Sequence, residues 1–251
     1  MAKHTDTNFL RELFLKHEDV SKCFGSLSKL TRHLDEPVVI TGSLATGRHL
    51  LQSGRQPGKR PLNDIDTVIV TGLSVIRPSL SQDFLINHFH PYREGGRVLL
   101  QLVDEEHSIR IEIFTAGSNS LAERLIDCAI GNLSCRIVSA EDLLAKLLSI
   151  IHSVVEDKPV DPKYVEQFAL LSTVADKAVT RKVWRDYRNE NQHLDFDEAA
   201  EAIKLKIKAN PNLLRATSYC QDVDLVCAWC HQSELFPISS RSKIHEILGY
   251  V

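Results

Sequence analysis

A change of hydrophobic period near Ser139 divides the chain. Before it, the short β-branched runs VVIT, DTVIV, RVLLQLV, IRIEIF and SCRIVS alternate with helical or loop stretches and read as strands. After it the apolar residues recur at helical spacing. SAEDLLAKLLSIIHSVV opens on Ser139, a hydroxyl suited to capping free amides, with Glu141 and Asp142 in the first turn where the helix dipole favours acids. VDPKYVEQFALLSTVA and DEAAEAIKLKIKA continue the trend, broken at Asp161-Pro162 and Asn210-Pro211. The pattern predicts an N-terminal helix over about residues 6 to 34, an α/β (α+β) unit with a mixed sheet, and a C-terminal helical domain. As domains these are residues 1–36, 37–138 and 139–251.

With 251 residues, 43% hydrophobic and 25% charged, the chain can bury a substantial core. Its first twenty residues carry charge every few positions, which excludes a signal-peptide h-region or a membrane span there and predicts a cytoplasmic protein. Six cysteines in a chain this long read as buried thiols or metal ligands rather than a disulfide framework. A net charge of -3 removes any global electrostatic case for nucleic acid.

Two short stretches carry the chemistry. In VVITGSLATGRHL the apolar run stops at Gly42-Ser43 and a helical pattern follows. A glycine there lets backbone approach a polyphosphate, Ser43 offers a hydroxyl, and the free amides opening the next helix attract anions. In NDIDTVIV, a strand's period of two puts Asp64 and Asp66 on one face. Adjacent carboxylates raise one another's pKa, so the pair calls for a cation, most simply a hard divalent metal. IRIEIFT supplies a third acid: Ile109, Ile111 and Ile113 alternate with Arg110 and Glu112, so Glu112 leaves the strand on its polar face, with Arg110 beside it as a neutralising charge. Three such acids can hold two magnesium ions about 3.5–4 Å apart, a spacing that stabilises the attacking and leaving oxygens of an in-line phosphoryl displacement. Should Glu112 fail, Asp104, Glu105 and Glu106 are the next acids to consider.

Gly42-Ser43 at a strand-to-helix turn, Asp64-Ile65-Asp66 and Glu112, in that order, resemble the signature of the nucleotidyltransferase superfamily related to DNA polymerase β. IVSAEDLLAKLLSII is similar to the helix after the core in minimal nucleotidyltransferases and in abortive-infection type IV toxin nucleotidyltransferases. The resemblance spans roughly residues 37–170 and implies a nucleotidyltransferase core. It implies magnesium held by Asp64, Asp66 and Glu112, an NTP such as ATP against Gly42 and Ser43, and a nucleotide-binding lysine at Lys146. It further implies NMP transfer to a hydroxyl acceptor, whether a tRNA end, a protein side chain or a small molecule, with release of pyrophosphate. Two alternatives stand beside this: a toxin acting on tRNA with an antitoxin partner, and a catalytically silent nucleotide-binding scaffold. The chain departs from the family in a long gap between Ser43 and Asp64, and in Tyr164 and Gln167 standing where the toxin group carries acids.

Further expectations attach to three other stretches. GRQPGKR predicts a mobile loop at the site's entrance whose Arg55, Lys59 and Arg60 steer an anionic substrate. Cys220, Cys227, Cys230 and His231 offer four zinc-type ligands or a buried helix, and RKVWRDYR offers an RNA-binding or a solvated face.

Overall fold

A computed structural model describes residues 7–90, 98–215 and 236–249. The Cys220, Cys227, Cys230 and His231 cluster lies outside them. The expected single N-terminal helix is two, α1 (Thr7–Leu13) and α2 (His17–Thr31). The break has a physical cause. Leu15 N–H donates to the Arg60 carbonyl at 3.0 Å and Arg60 N–H to the Leu13 carbonyl at 3.0 Å, so backbone groups that would continue the helical ladder pair with the segment before Asp64 instead.

Seven strands form one mixed sheet: β1 (Val38–Ile40), β2 (Asp64–Ile69), β3 (Leu85–Phe89), β4 (Val98–Asp104), β5 (Ile109–Thr115), β6 (Ile126–Ile130) and β7 (Leu133–Ile137). Their spatial order is β3-β4-β5-β2-β1-β7-β6. β1 pairs parallel with β7, β2 pairs parallel with β5, and the remaining ladders are antiparallel. β1, apolar and buried at every position, has the composition of an interior strand. β3 and β6 were not legible as strands. LINHF mixes polar and apolar residues without clean alternation, and IDCAI is an outer strand exposed along most of its length.

Ile109, Ile111 and Ile113 of β5 join Ile65 of β2 in the core. α2 lies against β1 and β5. From α2, the Ser26 hydroxyl donates to Asp104 at the end of β4 at 2.8 Å, and Lys29 Nζ bonds the same carboxylate at 2.8 Å. On the other face of β5, α5 (Ala140–Asp157) sets Lys146 over the Phe114 ring, 4.5 Å from its centroid. α3 (Gly42–Gln52) runs between β2 and α5. The C-terminal part is helical, with α6 (Pro162–Leu171), α7 (Lys177–Val183), α8 (Phe196–Ala209) and α9 (Arg241–Leu248), besides the four-residue α4 (Leu80–Asp83) earlier in the chain. The outer side of β3 is closed by Ser239, whose N–H donates to the Ile86 carbonyl at 2.6 Å and whose hydroxyl accepts from Ile86 N–H at 3.0 Å. Among the described residues no helix is long and apolar enough to cross a membrane.

Ser139 caps α5 as its sequence predicts, accepting from Asp142 N–H at 3.1 Å and donating to the Asp142 carboxylate at 2.6 Å. Asp142 is fully buried and takes Arg124 through Nε and Nη2 at 3.0 and 2.7 Å and the Tyr187 hydroxyl at 2.8 Å. Arg124 also holds Asp186 at 2.9 Å. This ionic knot fastens the start of α5 to the segment before β6 and to residues beyond α7. Burial, then the Asp142 charge, pushes the Tyr187 hydroxyl pKa far up, so it stays a donor. Arg124→Met should therefore leave a buried charge unpaired and cost about 3–5 kcal/mol of folding free energy, measured by urea unfolding. A loss below about 1 kcal/mol would show that the knot does not hold the helices to the sheet.

A carboxylate cleft as candidate active site

The parallel register of β2 and β5 sets Asp64 opposite Arg110 and Asp66 opposite Glu112. In parallel strands, paired residues project from the same face, so the four side chains make a compact patch of three acids and one base. Ile65 and Ile111, between them in sequence, are fully buried on the opposite face. Arg110 is itself buried. Its Nη2 donates to Asp64 Oδ2 at 2.9 Å, and its Nε lies 3.3 Å from Glu112 Oε1. Gln101 Nε2 also donates to Glu112 Oε1, at 2.9 Å.

Gly42 closes one side of the patch. Thr41 N–H donates to the Asp66 carbonyl at 3.0 Å, and the chain then turns through Gly42 at φ +62° into α3. A Cβ on Gly42 would lie 2.0 Å from Asp66 Oδ2, so only glycine fits, both for its dihedral and for the carboxylate against it. Thr41, not Ser43, occupies the N-cap position of α3, and it makes no side-chain cap bond. Ser43 lies in the first turn, half-buried, next to the residue that touches Asp66. The structure thus brings Gly42, Ser43, Asp64, Asp66 and Glu112 to one end of the β2–β5 pair. Lys146 joins them from α5: burial lowers its pKa, and Asp66 and Glu112 oppose that drop.

Asp66 bears the strain of this crowding. Burial first, then the charges of Asp64 and Glu112, push its carboxyl up to about 7, with Lys146 and Arg110 only partly offsetting them. Such a group calls for a further cation. The oxygens around it are hard donors of the kind magnesium takes, and the sheet holds them on one face. By donor chemistry the set suits a divalent hard metal, with Asp64, Asp66 and Glu112 as the residues that would hold it, although their ligand atoms do not all lie within 4.8 Å of one another.

Among the described residues one group of three ligand atoms within 4.8 Å of one another is found, at the β4–β5 turn, formed by Asp104, Glu106 and His107. Here an ammonium already supplies the charge: Lys29 Nζ is 2.8 Å from Asp104 and 2.6 Å from Glu106. Burial would raise the Asp104 carboxyl, but hydrogen bonds from Lys29, His107 and Ser26 hold it below the usual range. Glu105 pairs with Lys243 at 2.9 Å.

Three residues reach the cleft that sequence reasoning did not assign to it or misjudged. Arg60, expected in a mobile loop, is pinned by its two backbone bonds, with Nη2 buried and lacking a hydrogen-bond partner among the described residues. Burial lowers its pKa while Asp64 and Asp66 oppose the drop. Lys163 and Tyr164 stand in the first turn of α6, whose N-cap Asp161 accepts from Lys163 N–H at 3.0 Å. Burial lowers the Lys163 pKa against the pull of Asp161, Asp64 and Asp66, and burial with Asp66 pushes the Tyr164 hydroxyl up to about 12. The cap-and-proline start Asp161-Pro162 was the available signal, since it aims a helix N-terminus somewhere.

No protein-family model and no curated protein matches the chain. Among solved structures it is similar to an antigenic nucleotidyltransferase-like protein from Paracoccidioides brasiliensis, with 18% sequence identity and a TM-score of 0.42 over 84% of this chain and 98% of that one.

A carboxyl raised from its ordinary value near ~4 adds stability that is complete below that pH and is lost as pH rises through about 7. Without metal, the protein should therefore melt lower at pH 8 than at pH 5.5 by more than Asp66→Asn does. At pH 8, Asp66→Asn should melt a few degrees above the parent, since ~1 kcal/mol moves the midpoint by about 2–4 °C in a chain this size. Magnesium should raise the parent's midpoint and leave that of Asp66→Asn unmoved. Parallel melting profiles for the two proteins would disprove the crowding of Asp66.

Proposed function

We propose that this chain is a magnesium-dependent nucleotidyltransferase that moves an NMP from an NTP, ATP among the candidates, to a hydroxyl acceptor and releases pyrophosphate. In this reading residues 37–138 are the catalytic core and the helices after 139 line the cleft's other wall. The observation that carries it is the β2–β5 register, which stacks Asp66 beside Glu112 on the face that Gly42 abuts. Acids alone would suit many hydrolytic sites. Acids beside a positive-φ glycine that opens an eleven-residue helix suit a polyphosphate.

When bound, magnesium would supply charge for the polyphosphate and acidify the attacking hydroxyl. The chain's own groups do the rest. Gly42 lets backbone come close to the β- and γ-phosphates, the first amides of α3 and the Ser43 hydroxyl donate to their oxygens, and Lys146 adds a positive charge from α5. Asp64 and Asp66 would hold the metal, and their carboxylates are the hard oxygen donors it takes. Glu112, with one oxygen engaged by Gln101, keeps the other for metal or for the acceptor's proton. Arg110, bonded to Asp64 and beside Glu112, offsets part of the repulsion among the acids. Arg60 and Lys163 add cations at the same cleft.

Each of the four labelled NTPs should be incubated with magnesium and with tRNA, protein and small hydroxylated acceptors in turn. Pyrophosphate release together with label on one acceptor class is the expected result. Asp64→Asn and Asp66→Asn should each abolish release, and normal release by either would remove it as a metal ligand. Glu112→Gln should still bind nucleotide while kcat falls about 100-fold or more, the pattern of an interaction made chiefly in the transition state.

A further inference from the structure

Glu112 does not stand alone on its sheet face. The strand pairing β4–β5 sets Gln101 opposite it, and Gln101 Nε2 donates to Glu112 Oε1 at 2.9 Å. One strand further out, Asn87 Nδ2 donates to Gln101 Oε1. The β3–β4 register shifts between Ile86 and His88, so Asn87 is the bulged residue of its strand. A bulge re-aims a side chain. Here it directs a buried amide at the next strand's amide, giving an unbroken row Asn87, Gln101, Glu112 across three strands.

We propose that Asn87 and Gln101 are positioning residues that fix the orientation of the Glu112 carboxylate. The inference rests on the reading of Glu112 as the third acid of a nucleotidyl-transfer site. A glutamine amide is nearly symmetric in shape, so Gln101 could present either its N–H2 or its oxygen to Glu112. With its oxygen turned inward, two acceptors would face each other and the carboxylate would swing away. Because Asn87 donates to the Gln101 oxygen, that oxygen is committed outward and the N–H2 group must point at Glu112. Glu112 Oε1 is thereby engaged, together with the Arg110 Nε at 3.3 Å, and Oε2 becomes the oxygen offered to the cleft. The Asn87 side chain is itself buried, and its Oδ1 has no hydrogen-bond partner among the described residues, so the contact to Gln101 is its main anchor there. Supporting hydrogen bonds of this kind commonly decide how well a carboxylate holds metal.

The test uses Gln101→Leu and Asn87→Leu, each close in size to the residue replaced and neither touching the proposed metal or nucleotide. Melting curves first establish that each variant folds. Gln101→Leu should lower kcat at least tenfold with KM for NTP within about twofold of the parent, and Asn87→Leu should lower it about threefold or more, although Asn87 is one residue removed from the acid. In a Glu112→Gln background, Gln101→Leu should cost nothing further, the signature of two residues acting as one unit. A second readout needs no turnover: the magnesium concentration giving half of the maximal rise in melting midpoint should increase at least fivefold in Gln101→Leu. A Gln101→Leu protein with parental kcat and parental magnesium midpoint overturns the relay, as does an undiminished loss in the Glu112→Gln background. If the parent responds to magnesium but releases no pyrophosphate from any NTP, the nucleotidyl-transfer reading falls and the magnesium midpoints alone score the relay. If the parent shows neither response, both readings fall.

Discussion

The parallel pairing of β2 with β5 is the constraint on which the rest of this molecule depends. It forces like charges together, which isolated strands would avoid, and it succeeds because the opposite face of the same residues is apolar. Ile65, Ile111 and Ile113 are wholly buried, and sliding either strand by one residue would turn those isoleucines to water and the acids into the core. Each such side chain is worth about 1.5–3 kcal/mol in burial, enough in sum to outweigh the repulsion of three partly screened carboxylates. The hydrophobic effect thus holds an electrostatically unfavourable arrangement in place, and Arg110 takes part of the charge from within it.

How much of this could be read from the sequence follows from range. The alternation in IRIEIFT and DIDTVIV is local, and it gives the facing of Asp64, Asp66 and Glu112 directly. The Ser139 cap is local too, written in the three residues that follow it. What was not legible depends on partners far away in sequence. Arg60 reads as a loop cation because nothing near it says that Leu13 and Leu15 will take its backbone groups. Tyr164 and Lys163 read as ordinary helix residues because their importance comes from where α6 points. The strand LINHF carries a bulge at Asn87, and a bulge breaks the period of two on which strand recognition relies.

The cleft is also unusual in the balance of its charges. Four cationic side chains, Arg60, Arg110, Lys146 and Lys163, act on three acids. Arg110 is committed to the acids by direct bonds, while Lys146 leans on an aromatic ring and Arg60 is held through its backbone.

Ser239 bonds both backbone groups of Ile86 and so shuts one margin of the sheet, while on the other margin β6 pairs only inward, with β7, among the described residues. A strand added at β3 would have to displace both Ser239 bonds to Ile86 before it could pair there.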